Sequence, residues 1–465
     1  MISSLHLLLP WICGASLSCA FFYRNTLAFR GQKLPLSYWA GVGGLLGTLI
    51  FSFAILQLGK AGVSILSNRL CLLLALLTLI SLAKLLKRAS QDRIPKPQNL
   101  DIVLPLLLIP YGYALISQAQ SLPVFAWDSI DHWFFRAKRL IFELGAGNTT
   151  LLGEYDRHPN TVVAIGAWAG WAGRHSGSNS TLFWLAPLIS SYLILNGHLK
   201  LLTQSPWLPR IGGILLLSIP LLEAHTLAAG YAEIWLSSIV LASSSLAGIY
   251  FSTEQRTFFF LAILTAFCTI TIKNIGIVYF AGLGVAFCAT FFVTGSRLSA
   301  PLLMAFSLAI GFGMYLGFDI NLASIRVAWS PEQMKLVLGG YNLFLTLHPF
   351  HSVMGNQIFA WGVNQSLNLL LFAFLASGLQ ILIRDQANRT ENPGKDEKGS
   401  LVVLFGAISV IVITTIAQMI VPAAFENALP ASDISNSRFS LPAVGPMLLF
   451  VLISAAKIAD KKRSR

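Results

Sequence analysis

Charge is what this chain has least of. Of its 465 residues only 11% are Asp, Glu, Lys or Arg, against roughly a quarter in soluble domains, while 55% are hydrophobic. That scarcity excludes a soluble fold with an ordinary wet surface. Also missing are G-x-x-x-x-G-K-[ST], G-x-G-x-x-G after a strand, and H-E-x-x-H, which removes the usual signals of nucleotide-driven and zincin chemistry. No internal repeat is visible, which argues against a transporter built from inverted halves. The five cysteines (Cys13, Cys19, Cys71, Cys268, Cys288) all lie in apolar runs, form no C-x-x-C pair and give no metal spacing. The first apolar segment, Leu5 to Tyr23, has no basic n-region and no clear cleavage site, so it reads as a retained span.

What the chain does have is apolar stretches of about 17 to 25 residues, the length that crosses a bilayer as a helix. The expectation is an all-α polytopic membrane protein with about thirteen transmembrane helices, near 5–23, 35–59, 65–86, 101–120, 181–199, 211–223, 231–251, 257–272, 276–295, 299–318, 357–383, 400–422 and 441–457. With the C-terminus cytoplasmic and the N-terminus outside, 21 of the 32 cations fall on the inner side and 11 outside, while 11 of the 19 acids fall outside. The net charge of +13 then sits wholly on the inner face. A lipid-facing topology explains it, and nucleic acid is not implied as a partner.

This topology leaves two long segments outside, 121–180 and 319–356. The first opens with FAWDSIDHWFFRAKRL, residues 125–140, which gathers Asp128, Asp131, His132, Arg136, Lys138 and Arg139. Apolar residues at Trp127, Ile130, Trp133, Phe134, Ala137, Leu140, Ile141 and Leu144 keep helical spacing. The pattern predicts an amphipathic helix lying flat in the interface, its tryptophans at headgroup depth. A second interfacial helix is expected at Val162–Gly173, carrying Trp168 and Trp171. In the second segment, Ser330-Pro331-Glu332-Gln333 has the form of a capping box, which predicts a short surface helix ending at Gly339-Gly340. A charged face that merely keeps an interfacial helix wet is the simpler account of 125–140. Its company favours function: six of the eight histidines (His132, His158, His175, His225, His348, His351) fall outside, with Glu223, Glu233, Lys273 and Arg438 at span mouths. His348-Pro-Phe-His351 is broken by proline, so surface histidine is its plainer reading and no metal site is signalled.

The run WDSIDHWFFRAKRL, followed by Arg157-His158-Pro159-Asn160, resembles the first extracytoplasmic loop of the glycosyltransferase C (GT-C) superfamily of membrane proteins. That group often shows W-D-A-x-x-x-W-x-x-K-A-K, then H-P-x-Y-P, then Y-A-D-x-P and K-x-E-G. Here Tyr231-Ala232-Glu233-Ile234, Lys273-Asn274-Ile275-Gly276 and Ser437-Arg438-Phe439-Ser440-Leu441-Pro442 follow in the same order and on the same side. The second proline of H-P-x-Y-P is missing, Glu233 replaces aspartate, and Ile275 replaces glutamate. The resemblance covers 101–457, leaving 1–100 as an N-terminal extension of about three spans with a cytoplasmic loop, and 458–465 as a basic cytoplasmic tail.

The resemblance implies transfer of a hexosyl or pentosyl group from a polyprenyl-phosphate donor to a glycan, lipid or protein acceptor outside the membrane, with membrane lipids around the carrier tail. A carboxylate removes the acceptor proton, and cations stabilise the departing phosphate. By the motif match Asp128 is the base and Asp131 its rival. Glu233 positions the acceptor or supports the base. Lys273 and Arg438 meet the phosphate, with Arg157, His158 and His132 as further substrate contacts. No cofactor is required, and a divalent metal is possible. The setting implied is a bacterial inner membrane with the site facing the periplasm. A lipid-linked sugar flippase or transporter, and an oligosaccharide ligase or polymerase, are the alternatives.

Overall fold

The computed structural model describes residues 2–22, 34–61, 66–89, 99–121, 133–146, 160–173, 181–203, 205, 207–227, 231–273, 275–294, 316–322, 325–330, 332, 335–338, 341–347, 365–387, 395–422 and 433–463. The described residues are mostly helical. Seven helical stretches are long and apolar enough to cross a membrane: Leu36–Gly59, Asn68–Lys87, Leu182–Leu202, Glu233–Thr253, Gly276–Val293, Glu397–Thr415 and Leu441–Ile458. An eighth candidate is a broken pair of helices, Trp207–Leu217 and Pro220–Leu227, bent by 57°. These helices are compatible with a multi-pass integral membrane protein. The span expected at 299–318 lies almost wholly outside the described residues.

The chain divides into two compact units, Met1–Glu154 with Asn160–Ile234, and Tyr155–Pro159 with Trp235–Arg465. The first contains α1 (Ile2–Phe22), α2 (Leu36–Lys60), α3 (Asn68–Ala89), α4 (Asn99–Ser121), α5 (Phe135–Ala146), α6 (Thr161–Ala172), α7 (Leu185–Leu202, entered through a 3-10 turn at Leu182–Trp184), α8 (Trp207–Leu217) and α9 (Pro220–Leu227). The helices expected as a separate N-terminal extension share this unit with residues up to 234.

Lipid tails are as apolar as leucine, so burying hydrocarbon does little to hold helices together there; close packing of small residues must do it. Helix α2 carries A-G-V-G-G-L-L-G, and its glycines face two neighbours. A Cβ on Gly43 would strike Ser18 and the Gly14 carbonyl, and one on Gly47 would strike the Gly14 backbone, so α1 and α2 approach to backbone contact. On α7, a Cβ on Gly197 would meet the Tyr38 backbone at 2.9 Å, so α2 and α7 are as close. Trp11 Nε1 crosses this contact to donate to Ser190 Oγ at 2.8 Å.

Helix α6 departs from the expected interfacial helix. Ten of its twelve residues are buried, and Trp168 donates Nε1–H to the Leu7 carbonyl at 3.0 Å. The sequence TVVAIGAWAGWA is apolar all round, which is the signature of an enclosed helix rather than of one lying on a surface. Trp168 is therefore an interior residue, edge-on to Phe51 and tilted against Trp171, and not a headgroup anchor.

The second unit holds α10 (Glu233–Thr253, whose first two residues belong to the first unit), α11 (Arg256–Ile272), α12 (Gly276–Val293), strands β1 (Phe318–Leu322), β2 (Ile325–Ser330), β3 (Lys335–Leu338) and β4 (Tyr341–Leu347), α13 (Gln365–Ala387), α14 (Lys395–Met419), β5 (Ile420–Pro422) and α15 (Asp433–Arg463). Serines and glycines on α10 fix its neighbours. Ser243 Oγ donates to the Ala262 carbonyl of α11 at 2.9 Å. Gly399 and Gly406 of α14 press on Ser252 and Ser244, which makes α14 antiparallel to α10. Ser237 Oγ donates to the Leu441 carbonyl at 3.2 Å and Gly445 presses on Leu241, which makes α15 parallel to it.

The five strands form an antiparallel sheet in the order β1-β2-β3-β4-β5. This overturns the short surface helix expected after Ser330. Ser330 pairs with Lys335, and Leu338 with Tyr341 across Gly339-Gly340, the length and composition of a tight hairpin loop. The local cap signature at 330–333 loses to its surroundings: I-R-V-A-W-S and Y-N-L-F-L-T-L are rich in β-branched and aromatic residues and lack helical periodicity.

Candidate functional site

Of the residues singled out from sequence, Asp128, Asp131, His132, Arg157 and His158 lie outside the described residues. Glu233, Lys273 and the backbone of Arg438 lie within them.

In the first unit the described part of the 125–140 run is Trp133 and Phe134 leading into α5. Its buried row is Trp133, Ala137 and Leu140, at helical spacing, packed on α6, where Gly166 leaves 3.0 Å between a would-be Cβ and the Ala137 methyl. The outward row is Phe135, Lys138 and Phe142. An amphipathic helix is present as the pattern predicts, but phenylalanines rather than Trp133 occupy its exposed side: Trp133 is buried, and Phe134 packs on Trp184. Arg136 donates to the side-chain oxygen of Asn160, the last residue of the Arg157-His158-Pro159-Asn160 run. The bond is made at a nearly buried asparagine whose carbonyl also receives the Ala164 N–H and starts α6. One turn further along α5, Arg139 Nε donates to Glu143 Oε1 at 3.1 Å. Burial pushes the Glu143 carboxyl above its ordinary value, and the Arg139 guanidinium pulls it partly back.

Glu233 is the first residue of α10 and is fully buried. A helix start favours a carboxylate through its unsatisfied N–H groups and dipole.

In the second unit the helix directions collect several segments at one pole. They are the Trp235–Ser237 turn of α10, the end of α11 with Lys273, the start of α12, the Met419 end of α14 and the Arg438–Leu441 stretch of α15. Lys273 caps α11 in extended conformation, φ −155° and ψ 154°, and is half-buried. Its carbonyl accepts the Gly276 N–H at 2.7 Å, closing the turn into α12. A Cβ on Gly276 would collide with the Thr269 carbonyl, and Thr269 Oγ1 donates to the Gly276 carbonyl at 2.8 Å. The glycine of Lys273-Asn274-Ile275-Gly276 is thus fixed by packing. In α15, Pro442 has no N–H to offer the Arg438 carbonyl four residues earlier, so that carbonyl lacks its helical partner.

Buried polar residues of the first unit include Arg210 and His198, which sequence reasoning passed over, and His225, which it counted among the outer histidines. Arg210 sits inside W-L-P-R-I-G-G and is 7% exposed, beside Tyr192 of α7, whose ring covers Gly213. His198 is enclosed in α7, and His225 lies 5.2 Å from the Tyr231 ring. A cation within an apolar run was the available signal for Arg210. Among the described residues no group of three His, Cys, Asp or Glu side chains is placed to hold a metal ion. Comparison with known protein families, curated proteins and solved structures finds no match for this chain.

Proposed function

We propose that this chain transfers a sugar from a polyprenyl-phosphate carrier to an acceptor at the extracytoplasmic face of a membrane, from a bundle of about thirteen spans with its C-terminus in the cytoplasm. The observation that carries the reading is the Arg136–Asn160 hydrogen bond, which ties the α5 part of the 125–140 run to Asn160, the last residue of the 157–160 run. The acids, cations and histidines of the two runs serve one place in this reading. In this reading Asp128 takes the acceptor hydroxyl proton as the new glycosidic bond forms at the anomeric carbon. The bond from that carbon to the carrier phosphate breaks, and its electrons leave with the phosphate oxygen. Lys273 and Arg438 stabilise that charge. Glu233 acts from its buried helix start, and Arg157, His158 and His132 contribute to substrate binding. In this reading no cofactor is required, and a divalent ion would be an addition to the cations.

A flippase for the same lipid is the second reading. The 57° break between α8 and α9 favours it, because interrupted spans are where transporters build substrate sites. At the break, the Tyr111 hydroxyl donates to the Leu217 carbonyl at 2.9 Å, satisfying a group that the interruption frees.

Mass spectrometry of lipid-linked sugars and surface glycans, with and without the gene, separates the two. Loss of one sugar from a product, with its polyprenyl-phosphate form accumulating on the outer leaflet, is the expected result. The same lipid stranded on the inner leaflet would overturn transfer in favour of flipping.

A further inference from the structure

A carboxylate set in an apolar stretch calls for a partner, because an unpaired charge there is costly. Glu223 lies in the first turn of α9, inside the apolar window 211–223, and is half-buried. Its side chain makes no hydrogen bond or ion pair among the described residues. Helix α4 touches α9, and the Tyr111 hydroxyl of α4 lies within reach of the Glu223 charge.

The break between α8 and α9 frees the last four carbonyls of α8, and each has found a donor. The Ser218 N–H donates to Ile214 at 2.9 Å and the Ser218 hydroxyl to Leu215 at 2.9 Å. The Ile219 N–H donates to Leu216 at 3.3 Å, and the Tyr111 hydroxyl to Leu217 at 2.9 Å. The one proton of Tyr111 is thereby committed, so its oxygen has only lone pairs left to offer. Glu223, as a carboxylate, also only accepts. Two acceptors, one of them charged, come together here, and their complement is a donor that carries positive charge. A metal ion is the poorer complement, since no set of three carboxylate, imidazole or thiol groups is placed to hold one among the described residues.

The surrounding side chains narrow the choice of donor. Ile109 and Tyr113 flank Tyr111 on α4 and are exposed, as are Ile214 and Leu215 in the turn of α8 before Leu217. In a chain that crosses a bilayer, exposed side chains of this kind meet acyl chains. A donor cation that brings hydrocarbon with it is an amine-headed phospholipid. Its primary ammonium has three N–H groups for the Glu223 oxygens and Tyr111 Oη, whereas a choline headgroup has none.

We propose that Glu223 and Tyr111 Oη hold the ammonium of phosphatidylethanolamine beside the α8–α9 break. The Tyr111 hydroxyl then donates to the break and accepts from the lipid, which ties the bound headgroup to the bend. The proposal goes beyond sugar transfer and asks only for a bilayer containing this lipid.

The full chain, purified in detergent, is mixed with equimolar phosphatidylethanolamine, phosphatidylcholine and phosphatidylglycerol of one acyl composition, and bound lipid is read by native mass spectrometry. The parent should retain phosphatidylethanolamine over phosphatidylcholine by about tenfold, the difference expected where a charge-assisted hydrogen bond cannot form. Glu223→Gln should bring the two lipids level, and Tyr111→Phe gives the same reading if Glu223→Gln fails to fold. Millimolar ethanolamine should leave the bound lipid in place. Equal retention of the two lipids by the parent would overturn the proposal, and so would a preference that survives in Glu223→Gln. Displacement by ethanolamine would reassign the site to a soluble amine and overturn the lipid as its occupant.

Discussion

Arg136 of α5 donates to Asn160 Oδ1 across 24 residues of chain, and Asn160 is 5% exposed. One residue thus both starts α6 and holds α5. A hydrogen bond from a charged donor to a shielded acceptor contributes about 1.5 to 3 kcal/mol. Arg136→Ala and Asn160→Ala are each expected to lower stability by about that amount, and the double variant to fall short of their sum by about 1 kcal/mol or more. Thermal unfolding in detergent measures it. Strictly additive losses would show that the two residues act independently.

The α1–α2 contact predicts a sharp positional contrast among glycines. Gly47→Val places a branched side chain against the Gly14 backbone, whereas a Cβ at Gly112 of α4 meets nothing within 4 Å. Gly47→Val should cost about 1 to 3 kcal/mol through forced separation of the helices. Gly112→Ala should be neutral or slightly stabilising, because alanine is the better helix former. The fraction remaining monodisperse after heating in detergent distinguishes them, and equal behaviour would argue against the close approach.

Glu143 predicts a pH dependence. Its folded carboxyl is raised by burial more than the Arg139 guanidinium lowers it, so the folded state holds the proton more tightly than the unfolded chain. A group raised on folding contributes stability at low pH and loses it as pH climbs through and above its ordinary value of 4.5. The parent should therefore lose stability as pH rises above that value toward neutrality, and Glu143→Gln should flatten the slope. An unchanged slope in Glu143→Gln would assign the dependence to another group.

Hydropathy locates helices well here, because burying backbone in lipid demands internal hydrogen bonds and leaves a long apolar run little choice but a helix. Windows such as 35–59, 231–251 and 276–295 fall on α2, α10 and α12. Hydropathy cannot tell a helix enclosed by protein from one facing lipid, which is why α6 with its two tryptophans reads as interfacial in sequence and is enclosed in the fold. It also gives no warning of the α8–α9 break, where Pro220 starts a second helix within one apolar window. The sheet was hidden by a local cap signal, since pairing between β2 and β3 is not a property of either segment alone. At the candidate site, the Arg136–Asn160 bond joins two motifs that sequence order separates, and the burial of Glu233 follows from packing around α10.

For the cations of the second unit, Lys273→Ala or Arg438→Ala should slow sugar transfer by roughly one to two decades, the equivalent of about 1.5 to 3 kcal/mol for one charge-assisted phosphate contact. Lys273 is half-buried at a helix cap, where alanine leaves the Gly276 turn intact, so the bundle should still fold. Circular dichroism and size-exclusion profiles check that. Parental transfer rates in both variants would remove the phosphate-binding assignment.

The base assignment rests on Asp128 and Asp131, which the sequence places three residues apart. If the helical spacing of 127–144 holds, both lie on one face about 5 to 6 Å apart at Cβ, and either could enter the same site. Only one can be in line with the acceptor proton. Asp128→Asn keeps nearly the same volume while removing basicity, so it should abolish transfer and leave expression, membrane insertion and carrier-lipid binding intact. Asp131→Asn should lower the rate less if Asp131, rather than being the base, orients Arg136 or His132. The Arg136–Asn160 bond offers a way to separate these roles. If Asp131 acts through Arg136, then Asp131→Asn should add little to the loss already present in Arg136→Ala, whereas Asp128→Asn should abolish what remains. The measurement is transfer in vitro from a purified polyprenyl-phosphate sugar, run beside binding of the same lipid. Full activity in Asp128→Asn would sink its role as base, and lost lipid binding would make it a structural residue.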